Sequence, residues 1–241
     1  MTSLINLYLD NNLLTGSIPT EIGRIASLIT LYINNNRLTG SIPTELGLLA
    51  QLAYMDLSDN SIVGSIPSKI GNLLFLNYAS LGSNRLTGFI PTEIGQLDVT
   101  YLDFNDNNFT GSIPAEIGNL FSLIHLSFAS NRLSGSIPTS IYFLTGVTGL
   151  DLSNNQLTGT IPTLVGRLVS LKLLDFSYNN LNGSIPTELG LLSNLSSLLL
   201  DANYFTGEVP SALCNDSLQQ LVLCSNCGPS STREGEPAVI L

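Results

Sequence analysis

Leu31–Leu49 reads LYINNNRLTGSIPTELGLL, and closely similar text recurs along most of the 241-residue chain. Within this stretch, a short strand with alternating apolar residues leads into an asparagine bend, a second extended segment and a loose helical return. A repeat of this length indicates that the chain folds as a stack of similar coils, because one such unit cannot bury its apolar face alone.

The Ile-Pro pair of each unit measures the period of the repeat. Its proline recurs at a constant interval, as from Pro19 to Pro43, apart from the interval between Pro91 and Pro114, which is shorter by a single residue. The missing residue falls in LDVTYLDF (97–104), in the loop before a strand. Since a loop deletion leaves the strand in register, we expect the stack to continue unbroken through this unit. The prolines are Pro19, Pro43, Pro67, Pro91, Pro114, Pro138, Pro162, Pro186 and Pro210.

An asparagine follows each strand at a fixed distance. Strand alternation turns the apolar pair, such as Leu31 and Ile33, inward. An inward asparagine amide both donates and accepts, so it can satisfy backbone groups that the bend leaves free, each of which costs about 1–3 kcal/mol if it is buried without a partner. We therefore predict a structural ladder of Asn12, Asn36, Asn60, Asn84, Asn107, Asn131, Asn155, Asn179, Asn203 and Asn226.

These residues resemble the plant-type leucine-rich repeat, whose pattern LxxLxLxxNxLxGxIPxxLGxLxx is matched over nearly all of residues 1–227. The resemblance implies an α/β repeat solenoid of about ten repeats, wound as a curved right-handed superhelix with a parallel β-sheet on its concave face. It also implies a cysteine-bearing C-terminal cap in residues 211–227. Residues 228–241 lack the repeat and are predicted to be a flexible tail or linker.

The chain is acidic, with 8 Lys and Arg residues against 18 Asp and Glu residues and a formal net charge of −10. Nucleic acids and anionic membranes bind basic surfaces, so neither is an expected partner. A protein, peptide or glycan that is basic or neutral polar is favoured instead. No cofactor is predicted, and the three cysteines lack the nearby histidine that a metal site would use.

The sequence shows no signal peptide and no apolar stretch long enough to span a bilayer. Contact with a membrane is therefore expected only through segments outside this chain. The first ten residues, MTSLINLYLD, lie inside a repeat strand, with no polar end cap before them. We expect a fragment of a longer protein that is extracellular or at the cell surface; the alternative is a capless solenoid whose apolar first coil associates with a partner.

Outward positions of the predicted strands carry tyrosine and aspartate. Tyr8 and Tyr32 share one row, and Tyr54, Tyr78 and Tyr101 continue one row over. Tyrosine offers contact area at low entropic cost, and a surface of one charge steers a partner of the other. The alternatives are that strands simply favour tyrosine and that the aspartates only confer solubility. The predicted ligand-binding residues are Tyr8, Tyr32, Tyr54, Tyr78, Tyr101, Asp56, Asp103, His125, Asp151 and Asp175.

Two pairs of aspartates superficially resemble the paired carboxylates of a glycosidase. Asp56 with Asp59, and Asp103 with Asp106, each run from a strand to a bend, with no insertion that would form a groove around them. His125 is the single histidine and has no accompanying nucleophile. No catalytic residue is predicted, and we expect the chain not to be an enzyme.

Threonines also recur at two fixed positions outside the strands of the concave face. Regularly spaced hydroxyl rows would suit an ice-binding surface, but they are equally ordinary consensus in L-T-G-x-I-P-T repeats, which is the favoured interpretation. One position is held by Thr15, Thr39, Thr87, Thr110, Thr158 and Thr206, and the other by Thr20, Thr44, Thr92, Thr139, Thr163 and Thr187.

Secretion would have two covalent consequences. Four Asn-x-Ser/Thr sequons make Asn108, Asn182, Asn194 and Asn215 candidate glycosylation sites. The resemblance to capped extracellular repeat proteins implies a disulfide that joins Cys214 to Cys224 or Cys227. The odd number of cysteines leaves one thiol over.

Proteins with this repeat include receptor-like kinase and receptor-like protein ectodomains and the polygalacturonase-inhibiting proteins. The resemblance therefore implies non-enzymatic recognition of a ligand through the concave face, as the extracellular part of a receptor-like signalling or defence protein. One alternative is a secreted inhibitor of a cell-wall hydrolase, whose acidic concave face would cover a basic enzyme. Another is an ice-binding or adhesive surface.

Overall fold

The computed structural model describes residues 3–213 and 220–223. The predicted ladder residue Asn226, the candidate glycosylation site Asn215, all three cysteines and the tail 228–241 lie outside the described residues. Ten short strands form one sheet in sequence order, all parallel, as predicted for the concave face. They are β1 (Asn6–Tyr8), β3 (Thr30–Tyr32), β5 (Tyr54–Asp56), β7 (Tyr78–Ser80), β9 (Tyr101–Asp103), β11 (His125–Ser127), β13 (Gly149–Asp151), β15 (Leu173–Asp175), β17 (Ser197–Leu199) and β19 (Gln220–Val222).

Each coil begins at one strand of this concave sheet, so coil 1 begins at β1 and coil 10 at β19. The pairing places equivalent residues side by side: Leu7 faces Leu31, and Leu150 faces Leu174. The middle residue of each strand points into the core, where Leu31, Leu102 and Leu126 have no exposed surface. The residues on either side of it point outward in two straight rows, because side chains alternate along a strand.

The second extended segment of each coil forms a further set of parallel strands. A seven-stranded flank sheet is preceded by the pair formed by β2 (Thr15–Ser17) and β4 (Arg37–Thr39). Here the partner of Gly16 is Leu38, and that of Gly159 is Leu181, so equivalent residues are offset by two positions at each step. The flank sheet comprises β6 (Val63–Gly64), β8 (Arg85–Gly88), β10 (Asn108–Gly111), β12 (Arg132–Ser136), β14 (Gln156–Thr160), β16 (Asn180–Ser184) and β18 (Tyr204–Thr206).

The helical return is a 3₁₀-helix in each of coils 1 to 9, and the described residues contain no α-helix, which refines the predicted α/β class. In coil 2, Leu46 donates to Pro43 and Leu49 to Leu46, both bonds of the three-residue type. The short segment between the proline and the next leucine leaves no room for a longer helix. The helices are η1 (Thr20–Arg24), η2 (Thr44–Leu48), η3 (Ser68–Asn72), η4 (Thr92–Gln96), η5 (Ala115–Asn119), η6 (Thr139–Phe143), η7 (Thr163–Arg167), η8 (Thr187–Leu191) and η9 (Ser211–Leu213).

One 3₁₀-helix departs from the common packing. Seven of the first eight carry a glycine at their fourth position, where the backbones of neighbouring coils meet; a Cβ on Gly47 would collide with the carbonyl of Lys69. η6 carries Tyr142 there instead, fully buried and with a hydroxyl that has no hydrogen-bond partner. η6 and η7 pack less closely than the other neighbouring helix pairs, because the tyrosine ring occupies the space between them.

The shortened unit is absorbed at the end of η4, as the deletion in LDVTYLDF predicted. Leu97 adopts an extended conformation (ψ 156°), whereas the corresponding Leu73 and Leu120 bend back at ψ 63° and 64°. The chain therefore reaches the next strand with one residue fewer. Tyr78 still faces Tyr101, so the prediction of an unbroken stack is confirmed.

The asparagines of the predicted ladder lie at the bend between the two sheets. In coil 4 the Asn84 amide donates to the carbonyls of Leu57, Leu81 and Gly82 at 3.0–3.2 Å, and its oxygen accepts from the Ile62 amide at 3.0 Å. One side chain thus satisfies backbone groups of two successive coils. Asn12, in coil 1, is exposed, and its side-chain amide donates only to the carbonyls of Leu9 and Asp10 in its own coil.

Candidate ligand-binding face

Two outward rows run across the concave sheet, one on each side of the buried middle residues. The first, the aromatic row, contains Asn6, Thr30, Tyr54, Tyr78, Tyr101, His125, Gly149, Leu173, Ser197 and Gln220. The second, the acidic row, contains Tyr8, Tyr32, Asp56, Ser80, Asp103, Ser127, Asp151, Asp175, Leu199 and Val222. All ten residues predicted from sequence as ligand-binding lie in these two rows.

The aromatic row carries a stack of three rings. Tyr78 and Tyr101 are parallel with centroids 4.5 Å apart, and Tyr101 and His125 are parallel at the same separation. In the acidic row, the rings of Tyr8 and Tyr32 meet edge to face at 5.6 Å, and Tyr32 approaches Tyr78 at 6.4 Å. Offset and edge-to-face contacts favour fixed ring positions. The rings therefore form one connected surface from β1 to β11.

Gly149 leaves room for the His125 ring to stack on Tyr101. A Cβ at Gly149 would come within 2.9 Å of the His125 Nδ1, so only glycine leaves space for the ring in this orientation. Burial of the imidazole lowers the pKa of His125, although Asp103 and Asp151 act in the opposite direction. At neutral pH the ring is therefore uncharged and adds no cation to the acidic face.

The aspartates of the acidic row each use one carboxylate oxygen to hold the bend that follows the strand. Oδ1 of Asp151 accepts from the amide and the hydroxyl of Ser153, at 3.0 and 2.6 Å, and Asp56 and Asp175 bind Ser58 and Ser177 in the same way. Oδ2 of these three aspartates has no hydrogen bond within the described part of the chain. Each aspartate thus has a fixed orientation and one oxygen left for a partner.

Asp103 is the central carboxylate of the row. Its Oδ1 accepts from the Asn105 amide at 3.0 Å, and the Tyr101 hydroxyl lies 3.5 Å from its Oδ2. Burial raises the pKa of Asp103, against the opposing effects of these hydrogen bonds and of His125. Asp175 also has a pKa raised by burial. Both carboxylates would be stabilised by a cation that replaces lost water.

Sequence reasoning missed two residues of the acidic row, Ser80 and Ser127. Both are buried, at 5% and 6% exposure, because the carboxylates on the neighbouring strands rise above them. The alternation Asp56, Ser80, Asp103, Ser127, Asp151 is visible once the repeats are aligned, although no single repeat shows it. The surface of the acidic row is therefore recessed at the two serines.

Other predicted features lie away from the two rows. Asp59 and Asp106 occupy the bend with positive φ (52° and 47°), so neither forms a carboxylate pair with the aspartate on its strand. Within residues 3–213 and 220–223, no group of three potential ligands could hold a metal ion. Across those same residues, none of the helices is long and apolar enough to cross a membrane.

Three of the four candidate glycosylation sites are described. Asn108 is partly buried at the start of β10, and Asn182 is exposed in β16. Asn194 is also exposed, but its Nδ2 donates to the Val169 carbonyl at 2.9 Å. Of the three, Asn182 offers its amide most freely to an enzyme.

The two threonine positions do not form the flat rows that an ice-binding surface would require. Those in the flank sheet are offset by its stagger, so Thr158 lies between Ser136 and Asn180, and Thr110 lies beside Arg132. Of those at the helix starts, four donate to the glutamate that follows them, at 3.2–3.3 Å: Thr20, Thr44, Thr92 and Thr187. The flank-sheet threonines therefore do not lie side by side in a straight row. The helix-start threonines do not present a row of free hydroxyls.

Comparison with known proteins gives close structural relatives. The LRR ectodomain of the membrane receptor kinase GASSHO1/SCHENGEN3 from Arabidopsis thaliana, solved with CASPARIAN STRIP INTEGRITY FACTOR 2, superposes with a TM-score of 0.90 at 41% identity. It is matched over 92% of this chain and 27% of its own. The Arabidopsis receptor kinase HAESA, solved with the peptide hormone IDA and the co-receptor SERK1, gives 0.89 and 38%, over 91% and 37% of the two chains.

A plant ice-binding protein is a more distant match, with a TM-score of 0.63 and 27% identity over 95% of this chain and 84% of that one. No curated protein sequence matches the chain. The chain thus spans well under half of the receptor ectodomains that it resembles. The Leucine Rich Repeat family model matches residues 3–25, 27–49, 51–73, 98–120, 122–144, 146–168 and 170–192, which is more than half of the sequence. The chain therefore belongs to the leucine-rich repeat family, and its repeats are of the plant type.

Proposed function

We propose that this chain recognises an extended peptide through the concave sheet, as part of the extracellular region of a receptor-like protein. The observation that carries the proposal is the connected surface of rings and carboxylates from β1 to β15, held in place by stacking and by the bends. Preorganised aromatic side chains lose little entropy on binding, which favours their use as anchors. The relatives that were solved with peptide hormones support a peptide over a glycan.

The test is selection of binders from a random dodecapeptide display library on the immobilised chain. Selected peptides are then titrated against wild type and against the double variant Tyr78→Ala, Tyr101→Ala. We expect a loss of at least about tenfold in affinity, since aromatic anchors often contribute about 2 kcal/mol or more. Circular dichroism of the variant checks that the repeats remain folded.

Phe121→Ala provides the matched control. Phe121 is 75% exposed and follows η5, outside the concave sheet, so its loss removes an aromatic side chain of similar size from another surface. We expect peptide affinity to stay within about twofold, as is usual for residues outside an interface. Peptides that bind equally well to the double tyrosine variant would contradict recognition by the concave face.

Ice binding is a second candidate, favoured by the match that covers 84% of a plant ice-binding protein. The stagger of the flank sheet counts against it, because equivalent threonines are not side by side. Thermal hysteresis of the purified chain decides the matter. Hysteresis that disappears in Thr87→Tyr, Thr158→Tyr but persists in the double variant of Tyr78 and Tyr101 would assign ice binding to the flank sheet.

A further inference from the structure

The acidic row contains two similar depressions, which we call the serine notches; they differ in that the Ser127 hydroxyl accepts from the Ala129 amide at 3.5 Å. The first has Ser80 as its floor, with Asp56 and Asp103 on the two neighbouring strands. The second has Ser127 as its floor, with Asp103 and Asp151 beside it. Asp103 belongs to both notches.

The hydroxyl of Ser80 is an independent sign that the first notch accepts a ligand. Ser80 is only 5% exposed as a residue, yet its hydroxyl has no hydrogen-bond partner within the described residues. It occupies an outward position of the row, so the hydroxyl faces the notch. Among the described residues, only the Tyr142 hydroxyl is a buried side-chain oxygen without a partner, so the Ser80 oxygen can still be reached from the notch. A donor that enters the notch would therefore find an accessible acceptor at its floor.

Each notch has the chemistry of a site for a cationic side chain. Neighbouring strands lie about 4.8 Å apart, so the two carboxylates of a notch are spaced by about 9.6 Å, with the serine midway between them. A guanidinium or ammonium group centred over the serine would face the free Oδ2 of Asp56 or Asp151 on one side. On the other side it would face the Asp103 Oδ2, which the Tyr101 hydroxyl approaches at 3.5 Å. An interaction with both would compensate for the desolvation that raises the pKa of Asp103.

The distance between the notches restricts the conformation of the ligand. Ser80 and Ser127 are separated by two strand spacings, again about 9.6 Å. A polyproline II segment rises about 3.1 Å per residue with three residues per turn, so residues three apart lie on one side at about 9.3 Å. In a β-strand, side chains three apart point to opposite sides. The spacing therefore fits polyproline II better than a strand.

The aromatic row supplies the wall that such a segment would need. Tyr78 lies beside Ser80 on β7 and His125 beside Ser127 on β11, and the ring of Tyr101 joins them. Polyproline II segments usually bind to aromatic surfaces. Such a segment is already rigid, so it loses little conformational entropy when it docks. Building on the function proposed above, we infer that the ligand is a polyproline II peptide with two basic residues three positions apart, one in each serine notch.

Three synthetic proline-rich octapeptides, each with two arginines, test the spacing directly. The arginines are placed two, three or four positions apart, and affinity is measured by isothermal titration calorimetry at low and physiological salt. We expect the peptide with the three-residue spacing to bind at least about tenfold more tightly than the others, because only it reaches both notches from one face. Equal affinity for all three spacings would overturn the inference.

Two variants assign the effect to the notches. Asp103→Asn removes the charge shared by both while its side-chain oxygen still accepts from the Asn105 amide, so the fold is retained. We expect it to weaken the best peptide at least about tenfold. Ser127→Lys places an internal cation in the second notch and is expected to reduce affinity similarly. Asp59→Asn, which removes one charge from a bend position that tolerates asparagine, is the control and should change affinity by less than about twofold.

The outcomes also separate this inference from the proposed function. If random-library peptides bind through Tyr78 and Tyr101 but carry no pair of basic residues, the notch assignment is wrong and peptide recognition stands. If the octapeptides bind but Asp103→Asn has no effect, the assignment is also wrong. If the library peptides bind the concave-face variants as tightly as they bind wild type, both proposals fail.

Discussion

The concave sheet and the flank sheet are built from the same repeats, yet they order their side chains differently. On the concave side the register advances by one full repeat, so Tyr78 stands beside Tyr101 and Asp151 beside Asp175. On the flank each strand slips by two residues, so Gly159 stands beside Leu181. Only the concave register places equivalent positions of successive repeats side by side, so that their side chains can form one continuous surface. This difference explains why the candidate binding residues collect on one sheet.

The asparagine ladder joins the two sheets, and we expect the largest loss of stability when one of its buried residues is removed. Asn84→Ala deletes a buried amide that binds three carbonyls and one backbone amide. We expect a loss of about 3 kcal/mol in the free energy of unfolding, because several buried polar groups are left without partners. Urea denaturation measures it.

Asn12→Ala is the matched control for the ladder. Asn12 is exposed and its side chain bonds only within its own coil, so water can replace the bonds that the substitution removes. We expect a loss of less than about 1 kcal/mol. If both variants lost the same free energy of unfolding, burial of the asparagine between two coils would not be what stabilises the ladder.

The same glycine substitution should act differently in the two sheets. Gly183 of the flank sheet has φ +77°, and a Cβ there would lie 2.8 Å from Thr160 Cγ2, so Gly183→Ala should cost about 2 kcal/mol. Gly149 has no positive φ, and its Cβ would meet only the movable His125 ring. We expect Gly149→Ala to cost less than about 1 kcal/mol but to displace the ring, which NMR shifts of His125 would report. Unchanged shifts would contradict the role assigned to Gly149.

The bend between the sheets offers a stabilising change. Tyr178 has φ 53°, at the position where five other coils carry asparagine or aspartate: Asn11, Asn35, Asp59, Asp106 and Asn154. Asparagine tolerates this conformation better, so Tyr178→Asn should raise the melting temperature and add about 0.5–1 kcal/mol of stability. The reverse change, Asn154→Tyr, should remove a similar amount. A lower melting temperature for Tyr178→Asn would show that its exposed ring makes a stabilising contact.

The smallest expected effect is the pH response of the concave sheet. The pKa of His125 is lowered from 6.5, chiefly by burial, so the folded state favours the neutral ring. The resulting stability is present above the unfolded-state pKa and is lost as pH falls through the lowered pKa of the folded state. His125→Phe keeps a ring but does not titrate. On going from pH 7 to about pH 5, the wild type should therefore lose more free energy of unfolding than this variant does. Equal losses in the two proteins would exclude such a contribution.

The repeat pattern by itself determined the architecture and much of the concave face. A constant period, with one interval shortened by a single residue, fixes which residues are equivalent, and strand alternation fixes which of them point outward. Tyr8 with Tyr32, and Tyr54 with Tyr78 and Tyr101, therefore fall in the rows predicted for them. The same logic places Asp56, Asp103 and Asp151 in a single row.

Only the tertiary structure decided how those rows are used. The stacking of His125 on Tyr101 depends on a glycine one coil later, and the depth of Ser80 depends on carboxylates from the coils on either side. The stagger of the flank sheet and the 3₁₀ form of the return likewise arise from contacts between coils. A repeat pattern specifies the backbone of each coil, whereas the shape of the binding face comes from packing between side chains that lie a full repeat apart in sequence.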